Sequence, residues 1–401
     1  MGPTVRPALD THRTASCVDS RVIWSITRRS YSVQLFSHLV LWGVLLYRVA
    51  GAAEPIRIES VVPEAAWDSK FQRTSGWLGA DGNYSIRVAP DRVLWFFSDT
   101  LVGRIDNGRR VDTRMINNSV GVQSGPLGAE TIEFHYRKND QGEPQSMFRP
   151  DDPSHWEWLV GGTLVGGKVH LFLWEFRKSR DPGVFGFEIT GVNHVEIENP
   201  LAPPLDWNYS RRSLPFSELS DNRITFGAAV LIHDEYVYVY GTRETPGRKH
   251  SPKQMILARV PSESISDHDS WEFRTQTGWS RDFREPALLV TGIASEYSVS
   301  YLPSHRQFVC ISHGDLLSPK IQARFASDPA GPWSEPVDLW TCPEPAAKKG
   351  YFAYSGKAHP EISAHNELLV TYAVNSFQFG DLFSDPSLYW PRFVRVKLSP
   401  P

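Results

Sequence analysis

One pattern recurs five times along these 401 residues: two apolar runs joined by a short polar turn, usually followed by another alternating run. The first unit pairs residues 84–88 with 93–98 across Ala-Pro-Asp-Arg, where Pro90 presets its φ and Asp91 tolerates turn geometry. The others span residues 159–175, 226–243, 297–313 and 361–375, so the unit returns roughly every 60–75 residues. Third strands are expected over 118–123, 186–190, 255–260, 321–326 and 393–398, and fourth strands over 131–136 and 271–274. Three or four antiparallel strands per unit, with almost no helical periodicity, predict an all-β fold, a five-bladed β-propeller. A long β-sandwich is the alternative, but it does not predict a repeat of this length. The polar, Pro-rich stretches 138–153 and 199–215 read as loops within one domain, residues 54–401.

Residues 1–53 read as an export segment. Arg28 and Arg29 precede an apolar run over 33–49, and Ala50-Gly51-Ala52-Ala53 offers small residues for cleavage. The run is about 17 residues, short of the roughly 20 a membrane anchor needs, so export is favoured over an uncleaved anchor. The expected product is periplasmic or extracellular, monomeric, and free of the membrane. It keeps 36 basic and 43 acidic residues, a formal charge of −7, which argues against nucleic acid as a partner. Cys310 and Cys342 are the two cysteines left; in an oxidising compartment they could pair, although Cys310 also suits a buried strand.

The chemistry concentrates at the first hairpin. Reflecting the chain about Pro90 sets Asp81 opposite Asp99, and directly opposed residues on paired strands hold their Cβ atoms about 4.5–5.5 Å apart. A slip of one residue would turn the pair into a diagonal. Two carboxylates that close repel, and such a pair survives with compensation or for a purpose. Structural alternatives exist, since Asp81-Gly82 is a turn dipeptide and Asp99 before Thr100 could cap a turn. Aligned on their second strands, the five hairpins end at Asp99, Glu175, Arg243, His313 and Asn375. That slot is polar in all five and different in each, which suits a binding ring at the channel mouth better than a packing rule; solvated loop ends are the alternative.

The blocks Trp77-Leu-Gly-Ala-Asp-Gly-Asn-Tyr-Ser, Leu94-Trp-Phe-Phe-Ser-Asp-Thr and Met115-Ile-Asn-Asn-Ser-Val resemble the opening of the endo-D-arabinanase-like five-bladed propellers. These glycoside hydrolases were long catalogued as a domain of unknown function. Ser295-Glu-Tyr-Ser-Val, Arg324-Phe-Ala-Ser-Asp-Pro-Ala-Gly-Pro-Trp-Ser334 and Ala358-His-Pro-Glu361 continue the resemblance, which spans most of residues 60–400. It implies a retaining hydrolysis by two aspartates of the first blade, Asp81 and Asp99 here, on a furanose-containing or related polysaccharide. Retaining glycosidases hold their carboxyl groups about 5–5.5 Å apart, the span of a cross-strand pair. Glu175 and Glu296 are the next carboxylates within reach of the channel.

Around the pair, Asn117 and Asn118 are candidates for amide bonds to sugar hydroxyls or for turn formation. His359, fixed before Pro360, points into the channel or bonds a neighbouring blade. Trp77 and Tyr84 are candidates for stacking on a sugar or for the core. Specificity is expected in loops such as residues 104–114. No cofactor and no metal is expected: phosphate-loop, dinucleotide, nucleophile-elbow and zinc-protease patterns are absent, as is any metal-ligand cysteine spacing. A carbohydrate-binding propeller without turnover, or a protein-interaction scaffold marked by an exposed apolar patch on the channel face, are the rival readings.

Overall fold

A computed structural model describes residues 52–126, 128–180, 185–220, 223–244, 252–315 and 317–401. The export segment expected over 1–53 lies, but for its last two residues, outside the described residues. Among the described residues no helix is long and apolar enough to cross a membrane.

The chain is all-β, as the hairpin repeat predicts. Its first sheet orders Tyr84–Ala89, Arg92–Phe97, Ser119–Ser124 and Thr131–His135. The second orders His155–Val165, Lys168–Lys178, Phe187–Ile197 and Tyr209–Ser213. A third begins with Arg223–His233, Tyr236–Glu244 and Lys253–Pro261, and a fourth with Tyr297–Leu302, Gln307–His313 and Lys320–Ala326. In the fifth, Tyr351–Ala358, Glu367–Ser376 and Arg392–Leu398 are completed on the outer edge by Ile58–Pro63 from the start of the described chain. That antiparallel join ties the two ends of the fold together and pairs a strand that would otherwise be an open edge.

The first strands of all five sheets contribute to the wall of one cavity of about 100 Å³, through Ser85, Gly162, Val230, Val299 and Lys357. Backbones crowd there. A Cβ on Gly161 would lie 2.6 Å from the Gly227 carbonyl, so glycine is what lets neighbouring first strands approach. Outside this axis the apolar faces of adjacent sheets pack together, from Leu94 and Phe172 round to Val370 and Val394.

The structure corrects the sequence reading in three places. The fifth hairpin begins at Tyr351 rather than at Glu361, and Pro360–Ile362 is a 3₁₀ turn. Residues 104–114 form no loop: Thr100–Asp106 and Arg109–Ile116 are a hairpin on an Asn107-Gly108 turn, and with Ser75–Ala80 they make a small separate sheet. Both turn residues have positive φ (49° and 71°), the geometry that Asn-Gly favours. The stretch 199–215 contains the fourth strand of the second sheet. Of the two readings left open for Cys310, the buried strand residue is the one found: Cys310 lies in Gln307–His313, and it and Cys342 are both buried free thiols.

Candidate active site

Asp81 and Asp99 are directly opposed. The first hairpin pairs Tyr84 with Phe96 and Ile86 with Leu94; the small sheet continues the same register with Ala80 opposite Thr100. Between them the Asp81 amide donates to the Asp99 carbonyl at 3.2 Å, and the Ser98 amide donates to the Asp81 carbonyl at 3.0 Å. The two residues thus form the joint between the first sheet and the small one. Gly82, with φ of 83°, permits the approach of Ser98, whose amide nitrogen would lie 2.9 Å from a Cβ.

The partners of the two carboxylates are neutral. Asp81 Oδ2 accepts from the Tyr354 hydroxyl at 2.6 Å and the Tyr389 hydroxyl at 2.9 Å. Asp99 Oδ1 accepts from Asn117 Nδ2 at 3.0 Å and Trp158 Nε1 at 2.9 Å. Among the described residues no cation forms an ion pair with either. Asp81 Oδ1 is buried without a hydrogen-bond partner. Both residues are part-buried, neither sealed in the core nor open on the surface.

Burial pushes the Asp81 carboxyl well above its ordinary range, and the charges of Asp99 and Glu296 add to that push; the two tyrosine hydroxyls oppose it. Burial also raises Asp99, to about 6, against the pull of Asn117 and Trp158. Burial therefore favours the protonated form of both carboxyls, and Asp81 alone has the further push of the Asp99 and Glu296 charges. Tyr389 reaches Asp81 from a left-handed backbone (φ 72°), an unusual state for an aromatic residue. Its carbonyl would lie 2.7 Å from a Cβ on Gly79, so the glycine makes room for that strained turn.

The other predicted site residues divide. Asn117 bonds Asp99, as described, and Asn375 Nδ2 lies 3.5 Å from the Tyr354 hydroxyl, one step from Asp81. Glu296 receives the buried Lys357 ammonium at 3.3 Å and the Ser355 hydroxyl at 3.2 Å. His313 is buried against Gly356, with Nδ1 on the Ser318 carbonyl, and burial lowers it to about 4. Arg243 stands in the third sheet opposite Ile224 and Gln254.

Glu175 belongs to a separate network with His155 and Asn193. His359 is structural: buried on Trp95, it bonds Ser85 and Thr371, and burial holds it neutral, near 3. Asn118 is also structural, holding both ends of the Phe148 peptide and the Glu157 carbonyl.

Neither aromatic candidate is a stacking platform. Trp77 is core, stacked 4.0 Å from Phe134 and bonded to Ser119. Tyr84 is buried beneath Lys357, 4.3 Å from its ring centre.

Tyr354, Tyr389 and Trp158, which bond the pair, and Lys357, which bonds Glu296, are the neighbours that sequence reasoning missed. A bulge between Tyr354 and Lys357, with Ser355 at φ 62°, breaks the alternation that would have marked the strand. Among the described residues no three His, Cys, Asp or Glu side chains gather closely enough to hold a metal ion.

With this geometry in view, comparison with solved structures finds a candidate hydrolase from Bacteroides ovatus that is 20% identical. The match covers 84% of this chain and 90% of that one at a TM-score of 0.67, so the two share a fold. The GH43_1 enzyme from Xanthomonas citri, solved with xylotriose, is 12% identical over 84% of this chain and 93% of its own. Its TM-score of 0.41 does not establish a common fold. No curated protein matches by sequence. Residues 64–398 match a family described as a domain of unknown function, DUF5005, and the chain belongs to that family.

Proposed function

We propose that this chain is an exported glycoside hydrolase acting on a furanose-containing or related polysaccharide, with Asp81 and Asp99 as its reacting carboxyl groups. The five sheets are read as the blades of a propeller around the axial cavity, and the pair lies at one end of the first blade's inner hairpin. The observation that carries the reading is the pair itself: two opposed carboxyl groups, partly open to solvent, with only neutral hydrogen-bond donors around them.

Glycoside cleavage needs one carboxylic acid and one carboxylate. Asp81 is the acid, its protonated form favoured by burial and by the Asp99 and Glu296 charges. Its Oδ1, buried and without a partner, carries the proton and is opened by substrate binding to reach the leaving oxygen. Tyr354 and Tyr389 fix the other oxygen and so set the direction of that proton. Asp99, ionised at neutral pH and steadied by Asn117 and Trp158, faces the sugar carbon as the nucleophile. In the second half-reaction the ionised Asp81 takes a proton from water, which displaces Asp99 from the sugar and regenerates both groups. Export rests on the arginine pair and apolar run of residues 28–49.

The test is release of reducing ends from a panel of arabinan-type and mixed plant, algal and bacterial glycans. Wild type releases oligosaccharides from at least one of them, and Asp99→Asn does not. Equal release by both proteins removes the assignment.

A further inference from the structure

Trp77 and Tyr84 are buried, but another set of rings links the surroundings of the two carboxylates. Trp158, which donates to Asp99, lies 4.9 Å from Phe187 in edge contact. Phe187 lies 6.4 Å from Phe185. Phe185 then meets the fifth sheet, 6.2 Å from Phe352 and 6.4 Å from Phe377. Phe352 packs 5.4 Å from Tyr354, whose hydroxyl is on Asp81. The series begins on one carboxylate and ends on the other.

Its middle is open. Phe185 is 36% exposed and Phe377 42%, while Phe352 beneath them is buried. Phenylalanine carries no hydrogen-bonding group to justify exposure, and these two exposed rings, 6.4 Å apart, form a contiguous apolar patch of the kind that marks a binding surface. Ligand sites combine aromatic walls with a few placed polar groups, and here Asn117, Trp158 and Tyr354 supply the polar groups.

We propose that Phe185 and Phe377 form a glycan-binding platform, stacking against the C–H faces of sugar units that flank the bond held at Asp81 and Asp99. This deepens the hydrolase reading and rests on it. Sugars present apolar faces and hydroxyl edges together, which fits rings and donors set side by side better than a purely apolar protein contact does. The expected class is a neutral glycan. A uronate chain would bring negative charge to a carboxyl pair whose hydrogen-bond donors are all neutral, on a chain of net negative charge.

The experiment uses the Asp99→Asn protein, so that ligand is bound without turnover. Affinity for neutral arabino-, xylo- and galacto-oligosaccharides of four to eight units is measured by titration calorimetry, with and without Phe185→Ala/Phe377→Ala. The platform predicts at least a tenfold loss in the double alanine variant at unchanged melting temperature, and near-normal affinity for Phe185→Trp. Unchanged affinity in the double variant overturns the platform, as does tighter binding of galacturonate oligomers than of neutral ones. So does loss of a protein ligand's binding with glycan affinity intact, which would mark a protein interface. Ring-dependent glycan binding without reducing-end release by wild type supports the platform and removes the hydrolase reading, so the two failures are distinguishable.

Discussion

Two pairs of carboxyl groups face each other across inner hairpins of this fold. Glu157 lies opposite Glu175 in the second sheet, as Asp81 lies opposite Asp99 beside the first. At the glutamate pair every charge is answered. Arg211 contacts both oxygens of the fully buried Glu157 at 3.0–3.1 Å, Asn193 bridges the two glutamates, and His155 bonds Glu175 at 2.6 Å. At the aspartate pair the donors are two tyrosines, an asparagine and a tryptophan, and one oxygen has no partner at all. The cross-strand geometry is common to both pairs and says little by itself. What separates the two pairs is the ion pair. Arg211 holds the Glu157 carboxylate, whereas the aspartates have only neutral hydrogen-bond donors, and Asp81 feels the Lys357 charge without an ion pair.

The sharpest way to break this contrast is to neutralise one member of each pair. Asp99→Asn should lower glycan hydrolysis at least about 1000-fold, the scale on which loss of a nucleophile acts. Glu175→Gln should leave hydrolysis per folded molecule within about twofold of wild type, a difference read by initial rates.

Removing the cation from the compensated pair should act on stability instead. Arg211→Met strands the buried Glu157 charge and should cost about 3 kcal/mol in denaturant unfolding. Its effect on hydrolysis should be small.

Tyr354→Phe should lower kcat about tenfold, through loss of the contact that aims the Asp81 proton. Because the Tyr354 hydroxyl pulls the Asp81 carboxyl down, its removal should also move the alkaline limb of the pH–rate profile to higher pH.

The smallest effect is on the fold. Asp99 is raised from 3.8 to about 6 on folding, so the native state prefers it protonated. The stability this group takes away is absent below its unfolded value, grows as pH rises, and is constant above about 6. Asp99→Asn should therefore stabilise the protein by about 1–3 kcal/mol at pH 7, raising Tm by a few degrees, and the gain should fade towards pH 4 and below.

The Asp81–Asp99 pairing was legible because a hairpin with a short turn has a rigid register: the sums of paired positions stay constant from Arg87 and Val93 out to Ala80 and Thr100. The partners were not legible. Tyr354 and Tyr389 lie more than 270 positions from Asp81, and each reaches it through irregular backbone, a bulge beside Ser355 and a left-handed Tyr389. No period-2 pattern signals such residues. Residue type alone left Trp77 open, since a tryptophan next to a catalytic candidate looks the same whether it stacks on Phe134 or on a sugar. The end-of-strand alignment grouped Glu175 with Asp99, and only the position of Arg211 and Asn193 tells their environments apart. Asn107-Gly108, by contrast, carried its hairpin signal in plain view.

The most direct measurement is a carbon-13 NMR titration of the aspartate carboxyl groups in wild type, Asp81→Asn and Asp99→Asn. The account predicts one carboxyl that titrates near pH 6 and vanishes in Asp99→Asn. A second carboxyl should ionise well above pH 4 and vanish in Asp81→Asn. Two carboxyl groups that both ionise near pH 4 would contradict it.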